Sequence, residues 1–461
     1  MIQQRSHPMR AFSASGAGAG ARMRLTRRAM LLPAAVVGTL PACRAGGQRP
    51  PAEQAGVPVL QPATIEWYKY LNPAQAQQAP QFLEEFHGAN PEITVKLTIR
   101  PGGAAEYMEK LVAMVVAGQP PDVLQIHGAA FLAVTLGLAQ DISDLFRRDR
   151  IDTSKFNQLL FEYGSQWQGK TYGLPFANQA EAVALIYDRN QLQAAGLPEP
   201  PERWNDPSWT WERFVEMARR LVRIGSDGRT AVHGINRLGS FVLMPQSMFG
   251  GTWINDDYKT VVCDSPEMIA AYQAFVDLRW KHRVRPQPGE SADFRQRTTA
   301  FSVLGAWELL EYANLPADLD WAFAPFPKGT ATAKASPQAY IFDHKIANGS
   351  KYREHAWRFM RWLTEGSRLA FFEGRPPAVR DDVPRWTAEI FKNRPNVRVS
   401  VVTEAYNNAV RPELLFFHPK WASDINAVLT NEFWNPVFNG EKGVEAGLRE
   451  MKPRLQRLVA S

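Results

Sequence analysis

The stretch Gly169-Lys170-Thr171-Tyr172-Gly173-Leu174-Pro175-Phe176 decides the fold predicted for this chain. Gln168–Lys170 has the composition of a turn, and Pro175 keeps the residues after it extended rather than helical. The apolar run Ala182–Asp188 is typical of a buried strand. Strand–helix alternation precedes this stretch and begins again after it. We therefore expect the chain to cross here between two α/β units, so that the stretch serves as both hinge and cleft wall.

Three predicted strands precede the crossing, with an amphipathic helix between each pair. The strands are Ala63–Tyr70, Ile93–Ile99 and Asp122–Ile126. Ile93–Ile99 alternates apolar and polar residues, which is typical of a half-buried strand. Two successive strand–helix–strand units predict a largely parallel sheet with helices on its faces.

The pattern after the crossing predicts further helices and strands. The helices are Thr210–Val222, Ser265–Lys281 and Arg353–Thr364, and the strands are Thr298–Leu304 and Trp321–Pro325. Thr210 is the expected N-cap of the first of these helices. The remainder of the chain to Ser461 has mainly helical patterning.

The N-terminal residues have the pattern of an export signal. Arg22, Arg24, Arg27 and Arg28 precede the apolar run Ala29–Leu40, which is too short to span a bilayer. We therefore expect residues 1–42 to be a signal peptide. Leu40-Pro41-Ala42-Cys43 resembles a lipobox, in which Cys43 becomes the lipidated first residue, and residues 43–62 have the composition of a flexible tether. A soluble domain anchored outside the cytoplasm is predicted.

Charge and cysteine content exclude several classes of function. The chain carries 53 Lys and Arg against 46 Asp and Glu, a net charge of +7 at pH 7. Residues 1–42 hold six arginines and no acid, so the mature chain carries 7 − 6 = +1, which gives no indication of nucleic-acid binding. With Cys43 lipidated, Cys263 has no partner for a disulfide. About 400 mature residues predict two lobes, and no cofactor or metal site is expected.

The order of these motifs resembles the bacterial extracellular solute-binding proteins of family 1, the carbohydrate-binding components of ABC importers. The resemblance covers roughly Thr64–Arg380. Its pieces, in chain order, are Tyr107–Gln119 with Pro121-Asp122-Val123, Gly173–Phe176, Ala184–Asn190, Ala195-Gly196-Leu197, Pro200-Pro201, Gly305-Ala306-Trp307, Trp321–Gly329 and Ala356–Met360.

The resemblance implies a fold and partners. It implies a type II-like periplasmic-binding fold, in which two α/β lobes joined by three crossing segments close around a sugar. It also implies a membrane permease and a cytoplasmic ATPase as partners of a monomeric binding protein. From the patterning we assign residues 63–176 plus 297–345 to one lobe and 177–296 plus 346–461 to the other. The expected hinges lie near Phe176, Gln296–Thr299 and Asp343–Gly349.

A sugar site needs aromatic rings for the apolar sugar faces and planar polar groups for the hydroxyls. Trp307 is the best-placed candidate, because the matching position in the family commonly faces ligand. Tyr340 and Arg375 lie in loops that match family ligand regions. The predicted ligand-binding residues are Trp67, Tyr68, His127, Phe176, Asn178, Trp253, Trp307, Glu308, Tyr340 and Arg375. Glu308 also fits the role of a first-turn helix acid.

This sequence departs from the family at two places. The paired glycines that often follow Lys328-Gly329 are replaced by Ala335-Ser336-Pro337-Gln338-Ala339, and the Gly-Lys that commonly precedes the Gly305 strand reads Gln296-Arg297. Both departures leave the identity of the ligand open.

Two other functions fit part of the pattern. An exported glycosidase needs two carboxylates opposed across a cleft. Glu181, Asp188, Glu308 and Asp343 are available, but no motif selects a pair. A scaffold lipoprotein without a small ligand is the other alternative, and it predicts a filled cleft and no stabilisation by ligand.

Overall fold

Two five-stranded sheets organise the chain. The computed structural model describes residues 59–99, 104–127, 130–180, 182–237, 248–255, 257–409, 415 and 424–460, with the backbone alone for 104–106 and 127. The predicted signal peptide, Cys43 and most of the predicted tether lie outside these residues. No helix within the described ranges is both long and apolar enough to cross a membrane.

The strands form these two sheets and a separate two-stranded sheet of Gln166–Trp167 and Lys170–Thr171. The strands are β1 Ala63–Lys69, β2 Ile93–Ile99, β3 Val123–His127, β4 Gln166–Trp167, β5 Lys170–Thr171, β6 Leu174–Ala180, β7 Ala184–Asp188, β8 Arg223–Ile224, β9 Thr230–Ile235, β10 Thr299–Leu304, β11 Trp321–Ala324 and β12 Ala339–Ile346. The helices are α1 Pro73–Ala89, α2 Ala104–Val116, α3 Ala130–Thr135, α4 Ser143–Arg148, α5 Gln158–Ser165, α6 Arg189–Ala194, α7 Trp211–Leu221, α8 Pro266–Trp280, α9 Leu309–Ala313, α10 Arg353–Thr364, α11 Arg368–Glu373, α12 Val383–Ile390, α13 Val399–Asn407, α14 Asn426–Val428, α15 Asn435–Phe438 and α16 Val444–Ala460.

The first sheet has the strand order β2-β1-β3-β12-β6. β1 runs parallel to both β2 and β3, which confirms the parallel arrangement predicted for the first three strands. β12 is antiparallel to its neighbours β3 and β6. Helices α10 and α11 pack against this sheet through β6, and α5 packs against β12. We call this sheet with its helices lobe 1.

The second sheet has the strand order β11-β7-β10-β9-β8. β7 is antiparallel to β10 and β11, while β10 runs parallel to β9. The predicted helix Thr210–Val222 is confirmed as α7, and Thr210 caps it by accepting a hydrogen bond from the backbone N–H of Arg213 at 3.3 Å. Helix α7 covers β9 and β10, and α13 covers β7 and β11. We call this sheet with its helices lobe 2.

The pairing of β10, β11 and β12 corrects the predicted lobe boundaries. Strands β10 and β11 belong to the sheet of lobe 2, although residues 297–345 were predicted to lie in the first lobe. Helix α10 contacts β1, β6 and β12 of lobe 1, although the chain after 346 was predicted to lie in the second lobe. The predicted hinges at Gln296–Thr299 and Asp343–Gly349 are therefore inside single lobes. The chain instead passes between the sheets after β6, after β11 and between α11 and α12.

Strand β12 was missed because its centre is charged. Asp343, His344 and Lys345 are all fully buried. The Asp343 carboxylate lies 2.5 Å from Lys345 Nζ and accepts the Ser165 hydroxyl at 2.9 Å, so each charge is compensated inside the protein. Gly173, just before β6, makes room for this pair, because a Cβ there would lie 1.7 Å from the Asp343 carboxylate.

Candidate functional site

The two lobes meet where β6 leads into β7. Residues of β6 approach the turn Ala306–Glu308 of lobe 2 to within 8 Å between Cα atoms. The backbone N–H of Val183 donates to the carbonyl of Leu304 at 2.7 Å. A Cβ on Gly374 of lobe 1 would lie 3.4 Å from the Leu310 side chain of lobe 2. We call this region, with its lining from β6, β12, Gly374–Pro377 and Gly305–Glu308, the junction.

A chain of buried charged and polar groups forms the lobe 1 side of the junction. Lys69 Nζ lies 2.5 Å from one carboxylate oxygen of Glu373, and Arg375 Nε lies 2.6 Å from the other. A second nitrogen of Arg375 donates to the side-chain oxygen of Gln179 at 2.7 Å. Lys69 also donates to the side chain of Gln125. Because each member is held by its neighbour, the outermost groups, Arg375 and Gln179, are fixed in position before any ligand arrives.

Burial affects the pKa of Lys69, the innermost group of this series. The Lys69 side chain is fully buried, and its ammonium lies 4.4 Å from the centre of the Phe176 ring. Burial lowers the pKa of Lys69 to about 8, although the attraction of Glu373 opposes the shift and the nearby Arg375 adds to it. At the outer end, the Arg375 guanidinium lies 4.6 Å from the ring centre of Phe342. Both cations are thus supported by aromatic faces.

The lobe 2 side of the junction presents an aromatic ring. Trp307 is 50% exposed and follows directly after β10. A Cβ built on Gly305 would lie 2.5 Å from the indole, so the ring rests against backbone that only glycine leaves uncovered. Glu308 accepts the Gly305 N–H at 3.0 Å and forms an ion pair with Arg237. Glu308 therefore holds the turn that carries Trp307, which is the first-turn role considered for it from the sequence.

A second contact joins the lobes through three aromatic rings. Phe131 and Trp167 of lobe 1 lie 4.5 Å and 5.8 Å from Tyr258 of lobe 2, measured between ring centres. Tyr258 sits at the tip of a loop with φ +61°, where Asp257 accepts hydrogen bonds from Lys259 and Thr260. The loop is thus braced from within, and it brings an aromatic side chain to the other lobe.

A groove of about 810 Å³ lies away from the junction, between α7 and α8 of lobe 2. Its walls mix apolar residues such as Trp211 and Phe249 with charges of both signs, including Glu216 and Arg219. None of the ligand-binding residues predicted from the sequence lines it.

Comparison with known proteins identifies the family. The profile of the family described as bacterial extracellular solute-binding protein matches residues 72–365. A binding protein of Brucella abortus strain 2308 is 32% identical over 330 residues, which cover 67% of this chain and 74% of the relative. This chain belongs to the bacterial extracellular solute-binding proteins. The description of the family is one of solute binding.

Solved structures of other binding proteins share the fold of this family member. The ABC substrate-binding protein Lmo0181 from Listeria monocytogenes, in complex with cycloalternan, superposes with a TM-score of 0.67 at 18% identity, over 86% of this chain and 99% of that one. UgpB from Mycobacterium tuberculosis, in complex with glycerophosphocholine, gives 0.68 at 19% identity, over 86% and 98%. These likenesses establish the two-lobed α/β fold predicted from the sequence.

The junction brings together six of the residues predicted from the sequence. Phe176 and Asn178 lie on β6, Tyr340 lies opposite Gln179 on β12, and Arg375 lies above them. Trp307 and Glu308 approach from lobe 2. Phe176 is 1% exposed and packs against His344, so it supports the wall from behind. The Asn178 side-chain nitrogen donates to the carbonyl of Pro377 at 2.7 Å and ties β6 to the loop that carries Arg375.

Three other predicted residues are inside the lobe cores. Trp67 is fully buried and donates from its indole to the His344 ring at 3.2 Å. Tyr68 stacks on Tyr107 at 4.8 Å, and Trp253 packs against Tyr272 at 5.7 Å. All three have no exposed surface. In this conformation they pack in the lobe cores and are not accessible to a ligand. The His127 side chain is outside the described residues, and its backbone pairs with Phe342 in the sheet of lobe 1.

Sequence reasoning missed Gln179, Glu373, Lys69 and Arg237. The signal available for Gln179 was its place next to Asn178, the other polar residue of strand β6. The link between Lys69 and Glu373 had no signal, because the two residues meet only when α11 packs against the sheet of lobe 1.

Three of the four carboxylates considered for a glycosidase have partners within the protein. Asp188 caps α6 by accepting the Gln191 N–H at 3.2 Å, and Asp343 pairs with Lys345 inside lobe 1. Glu308 pairs with Arg237, and Glu181 lies outside the described residues. Among the described residues, no group of His, Cys, Asp or Glu has the arrangement of a metal site.

Proposed function

We propose that this protein is the solute-binding component of an ABC importer and binds a carbohydrate or a similarly hydroxyl-rich molecule at the junction. The observation that carries the proposal is the half-exposed Trp307 ring of lobe 2. Its turn, Ala306–Glu308, approaches β6 of lobe 1, the strand that carries Gln179, and Gln179 is already bonded to Arg375. A sugar face can stack on the indole while its hydroxyls bond to the amide and guanidinium. The similar structures hold a cyclic oligosaccharide and a glycerophosphodiester, both rich in oxygen.

Binding couples to closure of the lobes in this proposal. A ligand that contacts Trp307 and Arg375 together bonds to both lobes at once and so favours the closed form. The three passages between the sheets would absorb the rotation. The closed form then delivers its solute to a membrane permease driven by a cytoplasmic ATPase.

The proposed setting is the outer face of the membrane. Export by the signal in residues 1–42 and lipidation of Cys43 would leave a monomeric protein on the tether 43–62. Mass spectrometry of the protein from its native membrane tests this step. An N-terminal peptide that begins at a diacylated Cys43 is expected, and an unmodified peptide containing Cys43 would overturn it.

A thermal-shift screen of the chain from Arg44 onward tests the binding role. The panel holds mono-, di- and oligosaccharides, polyols and glycerol phosphodiesters. A ligand at 100 times its dissociation constant adds about 2.7 kcal/mol of stability, so a clear rise in Tm with one class and an unchanged ligand supports the proposal. Turnover of the ligand would favour the exported enzyme. Absence of a shift across the panel would favour the scaffold lipoprotein.

A further inference from the structure

Two arginines of lobe 2, at the end of α8 and in the loop after it, have no acidic partner among the residues that the structure describes. Arg279 and Arg285 form no ion pair with any described carboxylate. One nitrogen of Arg279 donates to the carbonyl of Phe438 at 3.1 Å, at the end of α15. The Arg285 side chain has no hydrogen bond with any group in the described part of the chain. The Nε atoms of both residues are enclosed and lack an acceptor there.

The backbone around the two arginines is held firmly. The side-chain nitrogen of Gln287 donates to the carbonyls of Arg279 and Arg285, at 3.0 Å and 3.3 Å. The backbone N–H of Val284 donates to the carbonyl of Leu278 at 2.9 Å, which turns the chain back toward α8. This bridge fixes the backbone of Arg285 beside the backbone of Arg279, at the end of α8.

A guanidinium enclosed without a counter-charge is costly, because its lost hydration is not replaced. Burial lowers the pKa of Arg285 to about 9, and the positive charge of Arg279 contributes to the shift. Arg285 still retains part of its residue surface toward solvent, so a small solute can reach it. Guanidinium groups bind tetrahedral oxyanions through paired N–H donors.

We propose that Arg279 and Arg285 form a binding site for a small tetrahedral oxyanion, of which inorganic phosphate is the probe. The anion would accept hydrogen bonds from terminal guanidinium nitrogens, which are not enclosed as the Nε atoms are, and would neutralise the pair. The site lies outside the junction and shares no residue with it, so it would stabilise lobe 2 without occupying the solute-binding site.

The test is a series of melting curves of the chain from Arg44 onward in increasing phosphate, with chloride adjusted to keep the ionic strength constant. The wild type is expected to show a saturating rise of about 2–4 °C in Tm. Sulfate, which has the same shape, is expected to act similarly, whereas chloride alone is not. Arg285→Met should abolish the rise, and the matched control Arg283→Met, in the same loop but exposed, should keep it.

A second readout separates anion binding from a structural role. Without phosphate, Arg285→Met is expected to melt at the same temperature as the wild type or higher, because it removes an uncompensated charge. A large loss of stability of Arg285→Met in phosphate-free buffer would overturn the proposal, since Arg285 would then have a partner within the chain. An equal phosphate response in wild type and Arg285→Met, or no saturable response in the wild type, would overturn it as well.

Discussion

The two lobes contribute different chemistry to the junction. Lobe 1 provides charges that are already paired, from the buried Lys69 and Glu373 to Arg375, whose side chain is 21% exposed. Lobe 2 provides the half-exposed ring of Trp307, held by a turn that Glu308 and Arg237 brace. The two sides of the junction should therefore affect different properties. Changes to the ion pairs of lobe 1 should mainly affect the stability of the protein, and changes to Trp307 in lobe 2 should mainly affect ligand affinity.

The largest expected effect is a loss of stability when Glu373, at the centre of the Lys69–Glu373–Arg375 series of ion pairs, is changed. Glu373→Gln leaves the buried Lys69 and the partly buried Arg375 without their shared counter-charge. A loss of about 3–5 kcal/mol in the free energy of unfolding is expected, on the scale of a broken buried ion pair. Urea unfolding measures it.

Glu365→Gln is the matched control for this change. Glu365 pairs with Arg361 at 3.0 Å, but its side chain is 53% exposed. A loss below about 1 kcal/mol is expected for such a surface pair. Equal losses in the two variants would contradict the distinction between a buried chain in lobe 1 and ordinary surface charge.

The next effect concerns how the stability contributed by Lys69 depends on pH. Because the pKa of Lys69 is lowered to about 8 by burial, the native protein releases this proton before the unfolded chain does at about 10.5. Between these pH values the unfolded state binds more protons, so the stability contribution of Lys69 rises with pH. The free energy of unfolding of the wild type minus that of Lys69→Met should therefore increase by up to about 3 kcal/mol from pH 8 to 10.5. A flat or falling difference would show that burial does not control the charge of Lys69.

The smallest expected effect concerns Gly305, the residue of lobe 2 against which the Trp307 ring rests. Gly305→Ala places a methyl group where the indole of Trp307 now rests, so the ring must move. We expect the free energy of ligand binding to become less favourable by about 1 kcal/mol, near the value of an aromatic contact. The free energy of unfolding should be nearly unchanged. Calorimetry of the double variant Gly305→Ala/Trp307→Ala provides the control. An additional loss from Gly305→Ala in the absence of the ring would mean that Gly305 does not act through Trp307.

The sequence predicted those parts of the fold that depend on local pattern. The parallel strands β1 to β3 and helices α7 and α10 follow from hydrophobic periodicity and capping residues. Strand β12 was not predicted, because its central residues are charged. Asp343 and Lys345 can be buried there only because they pair with each other in the assembled sheet.

The site was predicted unevenly for a similar reason. Trp307 and Trp67 both follow or end a predicted strand, and the local sequence does not tell which ring points into a core. Trp67 finds a partner in His344 and is buried, whereas Trp307 remains half exposed. The Arg375–Gln179 and Lys69–Glu373 contacts join residues far apart in the chain, so no local motif could indicate them.

The most direct test of binding at the junction is calorimetry with the ligand from the screen, comparing Trp307→Ala with Tyr352→Ala. Tyr352 is an aromatic residue of lobe 1 with similar exposure, and it contacts His355 rather than the junction. Trp307→Ala should weaken binding by about 1–3 kcal/mol, on the scale of a lost aromatic anchor, while Tyr352→Ala retains wild-type affinity. Unchanged affinity in Trp307→Ala, with the fold intact, would contradict the assignment of the junction as the solute-binding site.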